Sequence, residues 1–314
     1  MSASLRATAL DLAAPRPGLR RTAAAYLELT KPRIVALILM TGVPALLMAA
    51  RGFPSARTAA AALLGTAFAA ASGSAFNNYI DRDIDPLMRR TARRPLPAGL
   101  LRPGQALGFA FLLAALAWGV LAAWTNLLAA AIAMASIVYY AVVYSLWLKR
   151  RTSQNIVIGG GAGASAPLIA WAAVTGTVGA PAVALALIIF LWTPPHFWAL
   201  ALYRRDDYLR AGLPMLPVTH GEAETRRRIA LYSAALVPVS LLPMALGAAG
   251  PVYGLPALVL GLGFGRAALR LLRGASTPDA VRVFRFSILY LFLVFVLLTV
   301  DAVVRSLGGR WAGL

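Results

Sequence analysis

The chain contains no cysteine and only two histidines, His196 and His220, among its 314 residues. Without cysteine it can form no disulfide, no zinc–thiolate site and no thiol nucleophile, and two histidines are too few for a multi-histidine metal site. Acidic residues are also scarce, with 11 Asp and Glu against 30 Lys and Arg, which gives a net charge of +19. The basic residues stand in short segments between apolar runs, and this pattern indicates membrane topology and no nucleic-acid partner.

Long apolar runs dominate the chain, which is 60% hydrophobic and has a mean hydropathy of +0.73. Runs of about 17–23 residues are long enough to cross a hydrocarbon core roughly 30 Å thick. The sequence therefore predicts an all-α polytopic bundle of nine transmembrane helices in a lipid bilayer. This domain covers 29–305, between a disordered N-terminal tail, 1–28, and a short C-terminal tail, 306–314. The predicted spans are 34–50, 58–79, 104–123, 127–148, 156–174, 181–202, 229–248, 252–272 and 284–304.

The distribution of charge predicts how the bundle is oriented. If the spans alternate in direction, 26 of the 30 Lys and Arg and ten of the eleven acids fall on the side of the N-terminus. Because basic loops stay in the cytoplasm, we expect a protein of the bacterial plasma (inner) membrane with its N-terminus in the cytoplasm and its C-terminus outside. The eighth span is the weakest, since Arg266 and Arg270 lie within its last turns.

The strongest chemical signal follows the second span, where Asn77, Asp81 and Asp85 are spaced four residues apart. On a helix this spacing places three oxygen-bearing side chains on one stripe. Acids at a helix C-terminus oppose the helix dipole, so we expect a compensating cation. Mg²⁺ suits such a site, because it binds a few carboxylates and completes its shell with substrate phosphates. The alternative is a solvated acidic helix end.

Basic residues follow this acidic cluster and also end the fourth span. Arg89 and Arg93, and further along the chain Lys149 and Arg150, carry groups that bind phosphate. Acids for magnesium beside cations for phosphate form the set that a diphosphate requires. The ring of Tyr144, shortly before Lys149, would shield an allylic cation by cation–π attraction. The alternative is positive-inside charge with an interfacial aromatic belt.

A second acidic cluster, Asp206 and Asp207, follows the sixth span as the first cluster follows the second span. The four-helix separation hints at an internal repeat, and the two carboxylates are predicted to be a second set of metal ligands. His196 lies inside the sixth span, after Pro194 and Pro195. An ionisable residue within a span is a candidate functional residue. The alternative is a neutral histidine that satisfies carbonyls freed by the two prolines.

These motifs resemble those of the UbiA-type intramembrane prenyltransferases, which are all-α bundles of nine transmembrane helices. The N-x-x-x-D-x-x-x-D motif of that family is matched by Asn77, Asp81 and Asp85. The usual second motif, D-x-x-x-D, is not matched, because Asp206 and Asp207 stand side by side here. The resemblance implies a Mg²⁺ cofactor held by both clusters. It also implies that the phosphate ligands are Arg89, Arg93, Lys149 and Arg150.

Several longer strings narrow this resemblance to one branch of the family. LTKPRI, NNYIDRDID, LKRRTSQNIVIGGGAGA, TPPHFWALALYRRDDY and AGLPMLPV are similar to the branch that farnesylates haem. This similarity implies that farnesyl diphosphate and protoheme IX are the substrates and that a haem vinyl group accepts the farnesyl chain. It also suggests haem A synthase or terminal oxidase assembly as partners. We expect His196 to contact the haem and not the diphosphate.

Three other functions stay open at this point: a UbiA-type transferase for another aromatic acceptor, a secondary transporter, and a haem-binding or assembly protein without catalysis. A transporter requires ionisable groups near the midplane of several helices, whereas the acids here lie at one face. A non-catalytic haem protein has no need of two acidic clusters. The sequence also contains no Walker A segment, nucleophile elbow or HExxH motif.

Overall fold

The computed structural model describes residues 18–308, and within this range every regular element is a helix. Nine helical segments of the described chain are long and apolar enough to cross a membrane, which confirms the predicted fold class of a multi-pass membrane protein. The elements are α1 (Leu19–Thr30), α2 (Pro32–Ala50), α3 (Ala56–Ile80), α4 (Pro103–Trp124), α5 (Leu127–Val138), α6 (Asn155–Gly163), α7 (Ser165–Thr175), α8 (Ala180–Tyr203), α9 (Arg205–Arg210), α10 (Leu216–Thr219), α11 (Gly221–Ser240), α12 (Leu242–Ala245), α13 (Pro251–Gly274) and α14 (Thr277–Leu307).

Three of the nine spans are composed of more than one helical element. The fourth span continues from α5 through a π-helix, Tyr139–Trp147, to residue 150. The fifth span joins α6 to α7 and the seventh joins α11 to α12. The other six spans are single helices, and α8 continues through Pro194 and Pro195.

The predicted span boundaries agree with the observed helices to within two residues, except in the seventh and ninth spans. The seventh begins at Gly221, eight residues earlier than predicted, and the ninth begins at Thr277, seven residues earlier. Both extensions are polar turns that hydropathy does not detect. In α11 the pair Glu224 and Arg228, with 2.7 Å between Oε1 and Nε, supports the helix at i,i+4 spacing.

The N-terminal segment is more ordered than the sequence suggested. Part of the tail expected to be disordered at 1–28 forms α1, which buries Ala25 and Leu29 in a cluster with Ala106 and Ala110 of α4. Residues 1–17 and 309–314 lie outside the described residues, and α14 extends to Leu307, into the segment assigned to the C-terminal tail. The segment that precedes α2 in the chain therefore packs against the bundle.

The span boundaries follow from capping residues and prolines. The Ser55 hydroxyl accepts a hydrogen bond from the Thr58 amide at 3.1 Å at the start of α3. The Asn126 side chain caps α5 by accepting from Ala129 at 3.0 Å. Each of these caps satisfies an amide that has no partner within the helix. Pro103 begins α4, where the missing amide hydrogen has no cost.

Small residues bring the helices close together. A β-carbon on Gly65 of α3 would lie 2.4 Å from Leu121 Cγ of α4, so only glycine permits this approach. Glycine and alanine at helix contacts are typical of membrane bundles. The last span, α14, packs against both α2 and α8. Because successive spans alternate in direction, the ends of α3, the π-helix and α8 meet at one face, which we call the motif face.

Candidate active site

The first acidic motif lies at the motif face where α3 ends. The prediction that Asn77, Asp81 and Asp85 lie on one regular helix is wrong, because α3 ends at Ile80 and a short 3₁₀ helix begins at Asp85. Helical hydrogen bonds nevertheless continue, since the Asp81 amide donates to the Asn77 carbonyl and the Asp85 amide to the Asp81 carbonyl, each at 2.9 Å. The side chains of these three residues are at most 3% exposed. The solvated acidic end considered as an alternative does not describe this cluster.

The buried carboxylates of the first motif, Asp81 and Asp85, each have a cation as a partner. Arg94 Nη1 lies 2.9 and 2.8 Å from the two oxygens of Asp85. Lys149 Nζ donates to Asp81 Oδ2, and Asn77 Nδ2 donates to the same oxygen at 2.7 Å. The other oxygen, Asp81 Oδ1, is buried and has no hydrogen-bond partner. A buried acceptor without a partner is costly, so this oxygen marks the position where a ligand would bind.

Lys31, between α1 and α2, also reaches the motif. Its Nζ donates to Asn77 Oδ1 at 3.0 Å. Burial, together with the charges of Arg94 and Lys149 and against that of Asp81, lowers the pKa of Lys31 to about 7. Lys31 was not predicted as a site residue, because a lysine just before a span is typical of topology alone.

The positive and negative side chains of this site are unequal in number. Burial raises the pKa of Asp85, and the charge of Arg94 opposes that shift. Cations outnumber the carboxylates, so the assembled residues carry a positive field that would attract an anion. The four cations are Lys31, Arg90, Arg94 and Lys149, and the two carboxylates are Asp81 and Asp85.

Three of the predicted phosphate ligands lie away from this cluster. Both terminal nitrogens of Arg150 bond to exposed Asp83, each at 2.7 Å, and this pairing lowers the pKa of Asp83. Arg89 and Arg93 are exposed. Arg94, one residue after Arg93, is the arginine that pairs with Asp85. Arg90, one residue after Arg89, is exposed and interacts electrostatically with Lys31 and Tyr208. The phosphate-binding roles of Arg89 and Arg93 stay predictions. Of the four predicted ligands, only Lys149 contacts the motif.

The π-helix connects an aromatic pair to the acidic motif. Ser145 Oγ donates to the Tyr140 carbonyl five residues earlier at 2.8 Å and accepts from Asn77 Nδ2 at 3.2 Å. The rings of Tyr140 and Tyr144 stack with centroids 5.5 Å apart and planes at 19°. Trp147, by contrast, is 53% exposed, as expected of an interfacial belt. The geometry separates Tyr144 from that belt and places it beside the site.

Glycines create the space for these rings. A β-carbon on Gly159 of α6 would lie 2.2 Å from Tyr144 Cδ2, and one on Gly73 of α3 would lie 3.1 Å from Tyr140 Cδ1. The glycine-rich second half of α6 is therefore a packing element, and Gly159 packs against the ring of Tyr144, a predicted catalytic residue.

The second acidic motif is only half buried. Asp207 is buried and forms an ion pair with Arg210, whereas Asp206 is exposed. Tyr208, in the same short helix α9, packs with Ile84 of the first motif's loop, and Arg90 interacts electrostatically with its hydroxyl. The structure therefore brings the segment of Asp207 beside the first motif and leaves Asp206 at the surface.

His196 lies among aromatic rings of α8 and α14. Its ring stacks on Trp192 with centroids 4.3 Å apart and on Phe284 at 4.7 Å. Its Nδ1 lies 2.7 Å from Ser287 Oγ, and Ser287 in turn donates to the Phe284 carbonyl at 2.6 Å. His196 thus bonds a hydroxyl on α14 and not the carbonyls freed by the prolines of α8.

The donor set fits a hard cation that shares its shell with a substrate. No three His, Asp or Glu side chains within residues 18–308 form a metal site by themselves. Two buried carboxylates with one unpartnered oxygen, surrounded by cations, instead match a Mg²⁺ ion that depends on phosphate oxygens for the rest of its shell. A nine-span bundle with such a site at one face defines an intramembrane enzyme for a charged substrate.

Comparison with known proteins gives the class of enzyme. The model of the UbiA prenyltransferase family matches residues 38–300, and the chain belongs to this family. It is 51% identical over 276 residues, 88% of this chain and 91% of the relative, to a protoheme IX farnesyltransferase of Marinobacter nauticus. A protein of the same name from Azorhizobium caulinodans is 48% identical over 286 residues, 90% of this chain and 93% of the relative. The predicted family, and with it a prenyltransferase enzyme, is confirmed.

Solved structures show the same fold. A structure described for digeranylgeranylglyceryl phosphate synthase superposes with a TM-score of 0.75 at 22% identity and covers 90% of this chain and 99% of that chain. A UbiA homologue from Archaeoglobus fulgidus, bound to DMAPP and Mg²⁺, gives a TM-score of 0.62 at 19% identity, with 88% and 99% covered. The nine-helix architecture is therefore shared at low sequence identity.

Proposed function

We propose that this chain converts protoheme IX to haem O by transferring a farnesyl group from farnesyl diphosphate to a haem vinyl group. The relatives that are about half identical carry the corresponding name. The observation that carries the proposal in the structure is the buried pair Asp81 and Asp85, with one unpartnered oxygen, under a surplus of cations. A farnesyl diphosphate provides the anion for this site, and the apolar bundle surrounds its chain.

The diphosphate end of the reaction is assigned to the acidic motifs. Asp81 and Asp85 would hold Mg²⁺, and Asp207 would contribute from the second motif. Asn77 orients Asp81 through its amide nitrogen, and its oxygen would contact the metal only after Lys31 turns to the diphosphate. The bound ion supplies positive charge that stabilises the leaving diphosphate.

Cations of the chain stabilise the same leaving group. Lys31, Arg94 and Lys149 are already held near the motif by hydrogen bonds. Because they are positioned before the carbon–oxygen bond breaks, they need little reorganisation as negative charge develops. Arg90, next to Tyr208, would complete this set.

The allylic carbon would form its cation beside the stacked tyrosines. Cleavage of the C1–oxygen bond leaves the electron pair on the diphosphate and a cation on the farnesyl chain. The faces of Tyr140 and Tyr144 would attract that cation. The haem vinyl carbon then bonds to C1, water adds to the cation left on the porphyrin side, and one proton is released. Exclusion of water from the first cation prevents hydrolysis to farnesol.

The acceptor side is assigned to His196. With the single hydroxyl hydrogen of Ser287 donated to the Phe284 carbonyl, we assign the hydrogen of the His196–Ser287 bond to Nδ1 of His196. Nε2 then keeps its lone pair, which is the form of imidazole that ligates iron. We therefore propose that His196 holds the haem through Nε2 and that Ser287 fixes this tautomer, as hydrogen bonds to metal-bound histidines do.

The location of the site follows from the charge pattern. We propose that the motif face is cytoplasmic and that the chain resides in a bacterial plasma membrane, because basic loops stay inside. Delivery of the product to haem A synthase or to terminal oxidase assembly stays a prediction from the resemblance.

The identity of the acceptor can be tested by competition. Purified protein receives farnesyl diphosphate and Mg²⁺ with an equimolar mixture of haem and 4-hydroxybenzoate, and the prenylated products are identified by mass spectrometry. We expect haem O and no prenylated benzoate. Prenylation of the benzoate alone would assign the chain to the alternative UbiA-type transferases for other aromatic acceptors, and no prenylated product would contradict both.

A further inference from the structure

The hairpin of α13 and α14 presents a basic surface that the proposed reaction does not use. A β-carbon on Gly263 of α13 would lie 3.2 Å from Phe286 Cζ, so these two positions face each other across the hairpin. Residues three, four and seven positions away share a helix face. Arg266 and Arg270 therefore lie on the side of α13 that Gly263 presents, and Arg282 lies on the side of α14 that Phe286 presents.

Most of these cations have no anionic partner. Arg282 pairs with Asp279, with 2.6 Å between Nη1 and Oδ1. Arg266, Arg270 and Arg285 are exposed, and no carboxylate of residues 18–308 forms an ion pair with them. Positive-inside topology explains why arginines occur at this end of the hairpin. It does not explain their depth, because Arg266 precedes the end of α13 at Gly274 by eight residues, about 12 Å along the helix.

An open groove accompanies the arginines. It has a volume of about 610 Å³, and its walls include Val281, Phe286 and Leu289 together with Arg282 and Arg285. Further from the motif face, α13 exposes Leu262, which in a nine-span bundle faces acyl chains. The surface thus joins an apolar groove to guanidinium groups that have no ion-pair partner among residues 18–308.

We propose that this surface, defined by Arg266, Arg270, Arg285, Phe286 and Leu289, binds one anionic phospholipid. The guanidinium groups of Arg266 and Arg285 bond its phosphate, and an acyl chain lies along Phe286 and Leu289. Guanidinium groups suit phosphate because their donors match its oxygens in pairs, and basic pockets between spans recognise anionic headgroups in this way. A zwitterionic lipid lacks the net charge that this unpaired cluster requires.

Native mass spectrometry of the purified full chain tests the site. Phosphatidylglycerol and phosphatidylcholine are titrated separately against the wild type, the double variant Arg266→Gln/Arg285→Gln, and Arg227→Gln. Arg227 is a control because it is an exposed arginine of the same face with a carboxylate partner, Glu224, at 3.8 Å.

We expect the wild type to prefer phosphatidylglycerol. The double variant should bind it about 25-fold more weakly, since each lost basic contact near a membrane surface costs about fivefold, or about 1 kcal/mol. Arg227→Gln should retain the wild-type affinity. Equal affinity of the wild type for both lipids, or undiminished binding by the double variant, would overturn the proposal.

Two further measurements use only the wild type, so they test the site even if the double variant folds poorly. The first of them distinguishes a lipid phosphate from free phosphate. Inorganic phosphate at the lipid concentration should not displace phosphatidylglycerol from the wild type, because it makes no apolar contacts; full displacement would indicate a free-phosphate site and contradict the lipid. Rising salt should weaken phosphatidylglycerol binding to the wild type, and binding that is insensitive to salt would exclude the arginines.

Discussion

Lys31 Nζ donates a hydrogen bond of 3.0 Å to Asn77 Oδ1, so the segment before the first span is joined to the acidic motif after the second. This contact uses the amide oxygen of Asn77 and leaves the lysine without a carboxylate partner of its own. A half-buried ammonium group held only by an amide is prepared for a stronger anion. In the proposed reaction that anion is the diphosphate.

Lys31→Met is therefore expected to weaken binding of farnesyl diphosphate. Loss of a hydrogen bond to a charged group costs about 1.5–3 kcal/mol, so KM for the diphosphate should rise about 10–100-fold while haem affinity stays the same. Steady-state kinetics with each substrate varied in turn measures this. Arg33→Gln, an exposed neighbour, is the control, and equal KM values in both variants would remove Lys31 from the site.

Gly159→Ala should change the fate of the farnesyl cation. The added methyl would lie 2.2 Å from Tyr144 Cδ2, so the ring must leave its stack with Tyr140. We expect a larger share of farnesol relative to haem O, measured by chromatography. Gly161→Ala is the matched control, because its β-carbon would lie 3.4 Å from Tyr139, an ordinary contact. If both variants release the same small fraction of farnesol as the wild type, the tyrosine pair does not protect the cation.

Ser287→Ala should weaken haem binding without affecting the diphosphate. Without the Ser287 hydroxyl, the imidazole hydrogen of His196 can move from Nδ1 to Nε2. In molecules with that tautomer Nε2 has no lone pair, so it cannot ligate the haem iron. Loss of a residue that orients a metal ligand typically costs about 10–100-fold in affinity. Titration of haem, followed by its absorption spectrum, should show this loss, and Ser287→Thr should restore the wild-type spectrum. A merely structural role of Ser287 predicts lower stability with an unchanged spectrum.

The orientation in the membrane can be tested because the chain has no native cysteine. Ala98→Cys and Thr177→Cys introduce single thiols at exposed positions on opposite faces of the bundle. With right-side-out cells, an impermeant maleimide should label only the second variant. Labelling of the first variant alone would invert the proposed topology.

Much of the fold was predictable, because nine apolar runs and the alternation of charge are local properties of the sequence. The grouping of Asn77 with Asp81 was predictable for the same reason, since hydrogen bonds at i,i+4 spacing connect them. The cations were not predictable in the same way. Lys31 reaches Asn77 across 46 residues, and whether Arg93 or Arg94 faces inward depends on turns after α3 that have no simple period.

The π-helix was also not predictable from the sequence. Its widened turn between Tyr139 and Trp147 directs Ser145 towards Asn77, and nothing in the composition of this aromatic segment distinguishes it from an α-helix. The ring that packs on Gly159 belongs to Tyr144, which is 15 positions earlier, and this contact is known only from the structure.

The most direct test of the central claim compares three aspartates. Asp81→Asn and Asp85→Asn remove charge from the buried pair, and Asp83→Asn removes the same charge from an exposed neighbour, 58% exposed, that pairs with Arg150. Haem O formed from haem, farnesyl diphosphate and Mg²⁺ is measured by mass spectrometry for each purified variant. We predict at least about a 10²-fold loss in the first two, the scale of one electrostatic contact to a transition state, and near wild-type turnover for Asp83→Asn. Full activity in Asp81→Asn or Asp85→Asn would contradict the account.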